Sequence, residues 1–469
     1  MMRLPLRSRA MDDAFLLVGD SGRFFAADEA FIDRLLDDGL DVDDIAFLRR
    51  QSHMCEGTSG LGWLSHAHGL TQRWTRAGPL DYLILVPTLR CNLTCSYCQV
   101  SRAALDSQAH DWTDQTLAHV LALLDRLETP SVKIEFQGGE PLLRPDLIAA
   151  VIARCERFAE RSFVICTNLS HLPDAAWPLL ERDDVWISTS LDGDLATHQA
   201  NRTANADATN AFVRNLDTLI DRFGAGKISA LPTIDPARPP DIDALIDAYA
   251  GRGLTSIFLR QVNYHGFARK RHADSRTQGE AWRLYYEAFV RRLIERNWAA
   301  RDRVLEESYL TLLLKRIFRG GHNRHVDLRN PNPMGMDYLV VDHDGQLYPT
   351  DEARMLSRSG VIDLAIGTIA DGIDTARRDA LNAHATNQYD PDCQRCAYQP
   401  YCGRDVVDDL ARYGTIDLPR HETEFCRKHL HLFDFAFGLI YANDAPTQYS
   451  LRRWLGLAGD GIELGLRHP

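Results

Sequence analysis

The chain has 469 residues, 45% hydrophobic and 25% charged, with 53 Lys and Arg against 65 Asp and Glu, a net charge of −12. Such a length exceeds a single core and calls for about two to four domains, while the acidic balance excludes a chain built as a whole to grip nucleic acid. No apolar run reaches the ~18 residues that cross a bilayer. Ten cysteines behind a start, Met-Met-Arg-Leu-Pro-Leu-Arg, that lacks an apolar signal stretch point to a cytoplasmic protein using its thiols for metal ligation rather than disulfides.

In the first segment, residues 1–78, the apolar runs Phe15–Val18 and Phe24–Ala26 flank Gly19-Asp20-Ser21-Gly22, a hairpin signal. Helices are predicted from about Ala27 to Asp38, with Phe31, Leu35 and Leu36 at helical spacing, and from Val42 to about Gln51. Cys55 has no neighbouring cysteine and reads as inert.

Residues 79–325 alternate strand-like runs with helices, the pattern of a parallel sheet with crossover helices. The predicted strands are Tyr82–Val86, Val132–Phe136, Phe163–Asn168, Val185–Asp192, Lys227–Pro232 and Ile257–Arg260, about six in all. Directly after the first comes Cys91-x3-Cys95-x2-Cys98, on the side of a strand where α/β barrels place their chemistry. Three thiolates can hold three irons of a [4Fe–4S] cube and leave the fourth open; zinc is the competing reading, although zinc sites usually pair two Cys-x2-Cys units. Gly138-Gly139-Glu140-Pro141 follows the second strand, where glycines admit a close backbone approach. Asn168, Ser190 and Arg202 stand at or just beyond the ends of the third and fourth strands; hydrogen bonding at a strand end and a surface ion pair are the plain alternatives. Cys155 and Cys166 read as core residues, and the Arg-rich stretch from Gly279 to Phe318 as a solvated helical face. Tyr264 and His265 leave the sixth strand at the open end of the sheet, where a substrate would enter.

Further on, Cys393-x2-Cys396-x5-Cys402 is followed by Cys426. Four thiolates saturate a cube and leave no open iron; structural zinc is again the alternative.

These motifs resemble the radical S-adenosylmethionine (SAM) superfamily. The resemblance implies an α/β fold: a partial (β/α)6 barrel over residues 79–325. Gly138, Gly139, Glu140, Asn168, Ser190 and Arg202 would hold SAM, with Glu140 taking the methionine ammonium and Arg202 its carboxylate. The N-terminal segment is similar to the winged-helix-like domains that bind a leader peptide as an added strand, with a simple structural cap on the barrel as the alternative. Residues 326–430 resemble a SPASM domain, the auxiliary-cluster extension of radical SAM enzymes, with residues 431–469 as a helical tail. Its second auxiliary cluster would use Cys393, Cys396, Cys402 and Cys426. The ligand positions of the first auxiliary cluster fall near Met334 and at Thr350 and Val406, so the domain is expected in a reduced form, with two [4Fe–4S] clusters in the chain. Asp351 matches the acidic residue proposed as a base in sulfatase-maturing enzymes; an aspartate that forms a turn or caps a helix is the plain alternative.

The spans Thr88–Asn92, Leu259–Ala268 and Leu347–Met355 look most like the maturases of the His-Xaa-Ser system. That likeness implies a ribosomally made precursor peptide with His-Xaa-Ser repeats, a second radical SAM protein, and an electron donor such as flavodoxin or ferredoxin. A 5′-deoxyadenosyl radical would abstract hydrogen from the peptide, and an oxidation or cross-link would follow. Two other readings stay open: a formylglycine-generating enzyme of the sulfatase-maturing type, and a non-enzymatic iron–sulfur or zinc scaffold.

Overall fold

The computed structural model describes residues 2–100, 102–273, 278–321, 326–459 and 463–469. After a two-residue strand, Met2–Arg3, that pairs with Met54–Cys55, come three antiparallel strands, β1 (Leu6–Ala10), β2 (Phe15–Gly19) and β3 (Phe24–Ala27), in that spatial order. The predicted hairpin is β2–β3, turning at Gly22 with φ +75°, a conformation glycine adopts without strain. Helix α1 (Glu29–Leu36) is capped by Asp28, which accepts from the Phe31 amide, and α2 (Val42–Arg50) by an Asp41–Asp44 capping box. Leu17, Phe25, Phe31, Phe47, Leu48 and Met54 form a separate small core. Two elements were absent from the sequence reading. Strand β1 alternates Leu, Arg, Ser and Arg and carries no apolar run, and α3 (Leu61–Arg73) has only a weak apolar stripe. Arg73 ends α3 and donates to Ser21 O and Ile317 O, fastening this unit to the next.

The central sheet has seven strands. Parallel strands β4 (Tyr82–Thr88), β5 (Ser131–Gly138), β6 (Glu160–Cys166), β7 (Val185–Ser190) and β8 (Ile228–Leu231) lie side by side in chain order. Helices α4 (Asp114–Arg126), α5 (Pro145–Arg154), α6 (Ala206–Phe223) and α7 (Ile242–Ala250) alternate with them. The predicted sixth strand does not join this sheet. Ser256–Ile257 pairs with Glu306–Glu307, and Arg260–Gln261 with Thr233–Ile234, as two short parallel pairs. Helices α8 (Gly279–Ala299) and α9 (Ser308–Phe318) follow as separate helices, and α8 buries Trp282, Tyr286, Phe289 and Leu293 rather than presenting only a solvated face.

The sheet continues on its other side. Strand β9 (Tyr338–Val341) lies parallel to β4, with Tyr338 opposite Tyr82, and β10 (Leu347–Tyr348) closes that edge antiparallel to β9. The expected boundary at 325/326 therefore cuts a continuous sheet. Helices α10 (Asp351–Arg358), α11 (Val406–Tyr413), α12 (Glu424–Tyr441) and α13 (Ala445–Trp454) are the longer ones that follow; α12 begins before the expected tail. Among the described residues no helix is long and apolar enough to cross a membrane.

Strand alternation explains why the sheet encloses a cavity. On β5, Val132, Ile134 and Phe136 are buried in the main apolar core, while Lys133, Glu135 and Gln137 line the hollow. On β6, Phe163 and Ile165 pack outward and Val164 and Cys166 line the hollow. The core reading of Cys166 is thus corrected by register; Cys155, fully buried after α5, keeps it.

Glu307 caps α9 while wholly buried, accepting from the amides of Leu310 (2.6 Å) and Leu259 (3.2 Å) and from Tyr286 Oη (2.5 Å). Burial outweighs these bonds and pushes its carboxyl up to about 7. Folding thus favours the protonated form, so its stabilisation is full below the ordinary glutamate range and is lost as pH rises through about 7. Denaturant unfolding at pH 5.5 and pH 8 is expected to show wild type losing about 2 kcal/mol more than Glu307→Gln.

Candidate active site

A cavity of about 930 Å³ opens at the C-terminal ends of the parallel strands and runs into the barrel. Cys91, Cys95, Cys98, Gly138, Gly139, Asn168, Ser190, Arg202, His265 and Asp351 all line it, although the sequence scatters them over 260 positions, from 91 to 351.

Successive strand ends clamp the cysteine loop. At the end of β5, the Gly139 amide donates to Thr88 O (3.0 Å) and the Glu140 amide to Arg90 O (2.8 Å). A Cβ at Gly139 would fall inside contact distance of the carbonyl oxygens of Leu89 and Arg90, backbone atoms that cannot swing away. At the end of β6, Asn168 Nδ2 donates to Asn92 Oδ1 (2.8 Å) and lies 3.8 Å from Cys91 Sγ. Beyond β7, Arg202 Nη1 donates to Tyr97 Oη (2.8 Å), and Tyr97 in turn donates to Asp192, which also accepts from the Thr233 amide. The base of the loop is held by Arg90, which grips Asp111 through Nε (2.7 Å) and Nη2 (2.6 Å). Gly139→Ala is expected to displace this loop: bound iron should fall by about half in a protein that still folds, checked by iron assay and circular dichroism.

Glu140 stands behind the cavity wall. Its two oxygens accept from the amides of Leu142 (3.0 Å) and Asn168 (2.8 Å), and burial pushes its carboxyl up to about 7. Its visible work is to tie β5 to β6. Arg202 is enclosed within the barrel rather than on an exposed face, which removes the surface-ion-pair alternative.

Burial raises the Cys91 thiol to about 12 and lifts Cys95 as well. Such thiols ligate as thiolates when a cation arrives to offset the buried charge. Three sulfurs at the rim of a cavity whose glycines leave its wall bare suit a cluster with one open iron and a ligand beside it.

Deeper in the barrel a polar cluster was invisible in the sequence. Glu135 accepts from Tyr82 Oη (2.8 Å), Gln137 Nε2 (2.6 Å) and Cys166 Sγ (3.3 Å). Only strand register brings these together; a period-two reading of β5 and β6 as half-polar strands would have signalled it. Asp351 opens α10 and faces the same space. Its Oδ1 accepts from Arg354 Nε (2.8 Å), and Arg354 is fully buried. Thr350, rather than Asp351, caps the helix, accepting from the Ala353 amide.

The expected first auxiliary ligand positions hold packing residues. Met334 and Val406 share an apolar cluster with Tyr338, Ala353, Leu356 and Ala411. Beside it, Asp342 accepts from Arg358 Nε (2.6 Å) and lies 3.8 Å from Arg354.

Cys393 and Cys396 flank the end of a short helix capped by Asp390, Cys402 follows Tyr398 in a turn, and Cys426 sits in the first turn of α12. Burial pushes Cys402 up to about 12 and Cys426 to about 11 and raises Cys393 and Cys396; these thiols also oppose one another's ionisation, as neighbours do. Among the described residues only Asp342, His343 and Asp344 place three ligand atoms within 4.8 Å of one another. The Asp-His-Asp group is already engaged by Arg358.

Residues 85–237 match the family described as the Radical SAM superfamily, a span that holds the three loop cysteines, the Gly-Gly-Glu segment and Arg202. This segment of the chain is similar to the radical SAM superfamily. A GTP 3′,8-cyclase of Picosynechococcus sp. is 33% identical over 118 residues, 24% of this chain and 35% of that protein. A probable GTP 3′,8-cyclase of Methanocella arvoryzae is 28% identical over 191 residues, 40% and 58% of the two. The chain thus spans only part of the curated relatives it matches. The solved structure of anSMEcpe with bound AdoMet and Cp18Cys peptide aligns with a TM-score of 0.59 at 16% identity, covering 76% of this chain and 97% of that one. This likeness extends the shared fold well beyond the matched barrel.

Proposed function

We propose that this protein is a radical SAM peptide maturase carrying two [4Fe–4S] clusters, of the kind typified by the His-Xaa-Ser system. Cys91, Cys95 and Cys98 would hold the SAM-binding cluster, and Cys393, Cys396, Cys402 and Cys426 the auxiliary one. When bound, SAM and its cluster supply hydrogen abstraction by a 5′-deoxyadenosyl radical. Arg202, oriented by Tyr97 and Asp192, offers a guanidinium to a carboxylate, and Gly138 and Gly139 leave room for the ligand. Asp351, held by Arg354, is the base that removes a proton from the oxidised substrate. The auxiliary site lies next to the N-terminal sheet, where Arg7 Nε donates to Gln394 O (2.6 Å) and Arg9 pairs with Asp434, so peptide recognition and electron transfer would share one scaffold.

The observation that carries the reading is the cavity itself: a wall of loop cysteines at one end and a buried carboxylate, Asp351, facing the same space from an element outside the barrel segment. The filled first auxiliary position weighs against the formylglycine alternative, and the enclosed Arg202 against a scaffold. Co-expression with a precursor peptide encoded beside the gene, followed by mass spectrometry, tests it. A loss of two hydrogens per event is expected, with fragmentation and aldehyde trapping separating cross-link from formylglycine. Reconstituted protein that cleaves SAM but leaves every such peptide unchanged would overturn the peptide reading.

A further inference from the structure

We propose that residues 464–468 occlude the outer edge of β3 in cis, with the His468 imidazole as the latch, and that an extended peptide carrying an imidazole must displace them to dock there. The identification of that competitor as a precursor rests on the maturase reading; the occlusion does not.

The sheet β1–β2–β3 has two edges. The β1 side is engaged by the auxiliary domain through Arg7 and Arg9. On the β3 side, the Ala26 amide donates to Leu466 O (2.9 Å) and the His468 amide to Ala26 O (2.7 Å), a parallel bridge opposite Arg467. Bonds of this kind read backbone and accept any extended sequence. The side-chain selectivity lies in one pocket. The His468 ring sits 4.3 Å from Phe31 and 4.8 Å from Phe47, centroid to centroid, and its Nε2 is 3.1 Å from Asp44 Oδ1. Asp44 is buried and already gripped by Arg34 through Nε (2.8 Å) and Nη2 (2.9 Å), so the pocket is rigid and its carboxylate is aimed.

The segment is lightly fastened elsewhere. Leu466 and Arg467 are exposed; Leu466 O accepts from Tyr441 Oη (2.9 Å), and Arg467 donates through Nη2 to Tyr441 O (3.3 Å) with its guanidinium 5.1 Å from the Tyr441 ring. Leu464 is the one further buried anchor in it. A tethered segment of this sort competes at an effective concentration of about millimolar. A free peptide must therefore overcome a tenfold or larger handicap, which disappears when the imidazole is lost from the chain.

The test uses the full-length chain and a fluorescent synthetic peptide with the sequence of residues 463–469, Glu-Leu-Gly-Leu-Arg-His-Pro, read by anisotropy without SAM or reductant. His468→Asp, which places like charge against Asp44, is expected to bind it at least about tenfold tighter than wild type. The same peptide with alanine for histidine should lose that binding. His468→Ala serves as the second variant should the aspartate variant fail to fold. Folded variants that bind the peptide no better than wild type, or binding indifferent to the peptide's histidine, would overturn the proposal. Failure to find a modified peptide would count against the maturase reading alone, because this measurement needs no turnover.

Discussion

A chain with Cys91, Cys95 and Cys98 all replaced by alanine is expected to hold about four irons instead of about eight and to release no 5′-deoxyadenosine. This is the largest effect anticipated for the protein. The three sulfurs share one loop clamped at strand ends by Gly139, Asn168 and Arg202, which bond to residues of that loop rather than to the other cysteine group. The loss should therefore be local. The complementary variant, Cys402→Ala with Cys426→Ala, is expected to lose the other half of the iron, to keep SAM cleavage and to form no peptide product. Iron assay, Mössbauer or paramagnetic resonance spectra, and 5′-deoxyadenosine quantified after dithionite reduction separate the two. If the first variant still cleaves SAM, or if both groups bind zinc in wild type, the two-cluster assignment fails.

Asp351→Asn is expected to uncouple the reaction: 5′-deoxyadenosine should still form, while peptide product falls by about 10²–10⁴. Asparagine preserves shape and can still accept from Arg354 Nε, so the change removes a base rather than a contact. Glu135 faces the same cavity and provides the control, since its carboxylate is bonded by Tyr82, Gln137 and Cys166. Product formation that survives Asp351→Asn but collapses in Glu135→Gln would move the proton acceptor to β5 and leave Asp351 as a buried counter-ion for Arg354. The ratio of 5′-deoxyadenosine to product reads this difference, because a loss of fold would lower both.

Local chemistry made much of the molecule legible. The run Cys91, Cys95, Cys98 lies within eight residues, so spacing alone ties it to one ion or cluster, and the strands β4 to β8 are apolar runs whose type follows from composition and punctuation. The hairpin at Gly22 and the helices capped by Asp28 and Asp41 were likewise readable, since turn and cap residues act within a few positions. The missing cysteines at Thr350 and Val406 predicted an altered domain, although not what replaced the ligands.

Long-range register supplied the rest. Cys166 looked like core because an apolar strand can be buried on both faces, and only the hollow in front of β6 makes one face a cavity wall. Strand β9 joins β4 across some 250 residues, a pairing no local pattern encodes, and this carries the sheet across the expected boundary at 325/326. The Met334–Val406 packing and the Asp351–Arg354–Asp342 network arise from the same folding back of the chain.

The sequence by itself determined the thiol chemistry and the alternating architecture, because both depend on neighbours along the chain. Only the tertiary structure decided which face of each strand meets the cavity, that Arg202 and Asp351 share it, and that His468 fills a pocket more than 400 residues away from it in sequence. Side-chain direction in a sheet is fixed by pairing register, and register is set by contacts between segments that the sequence holds far apart.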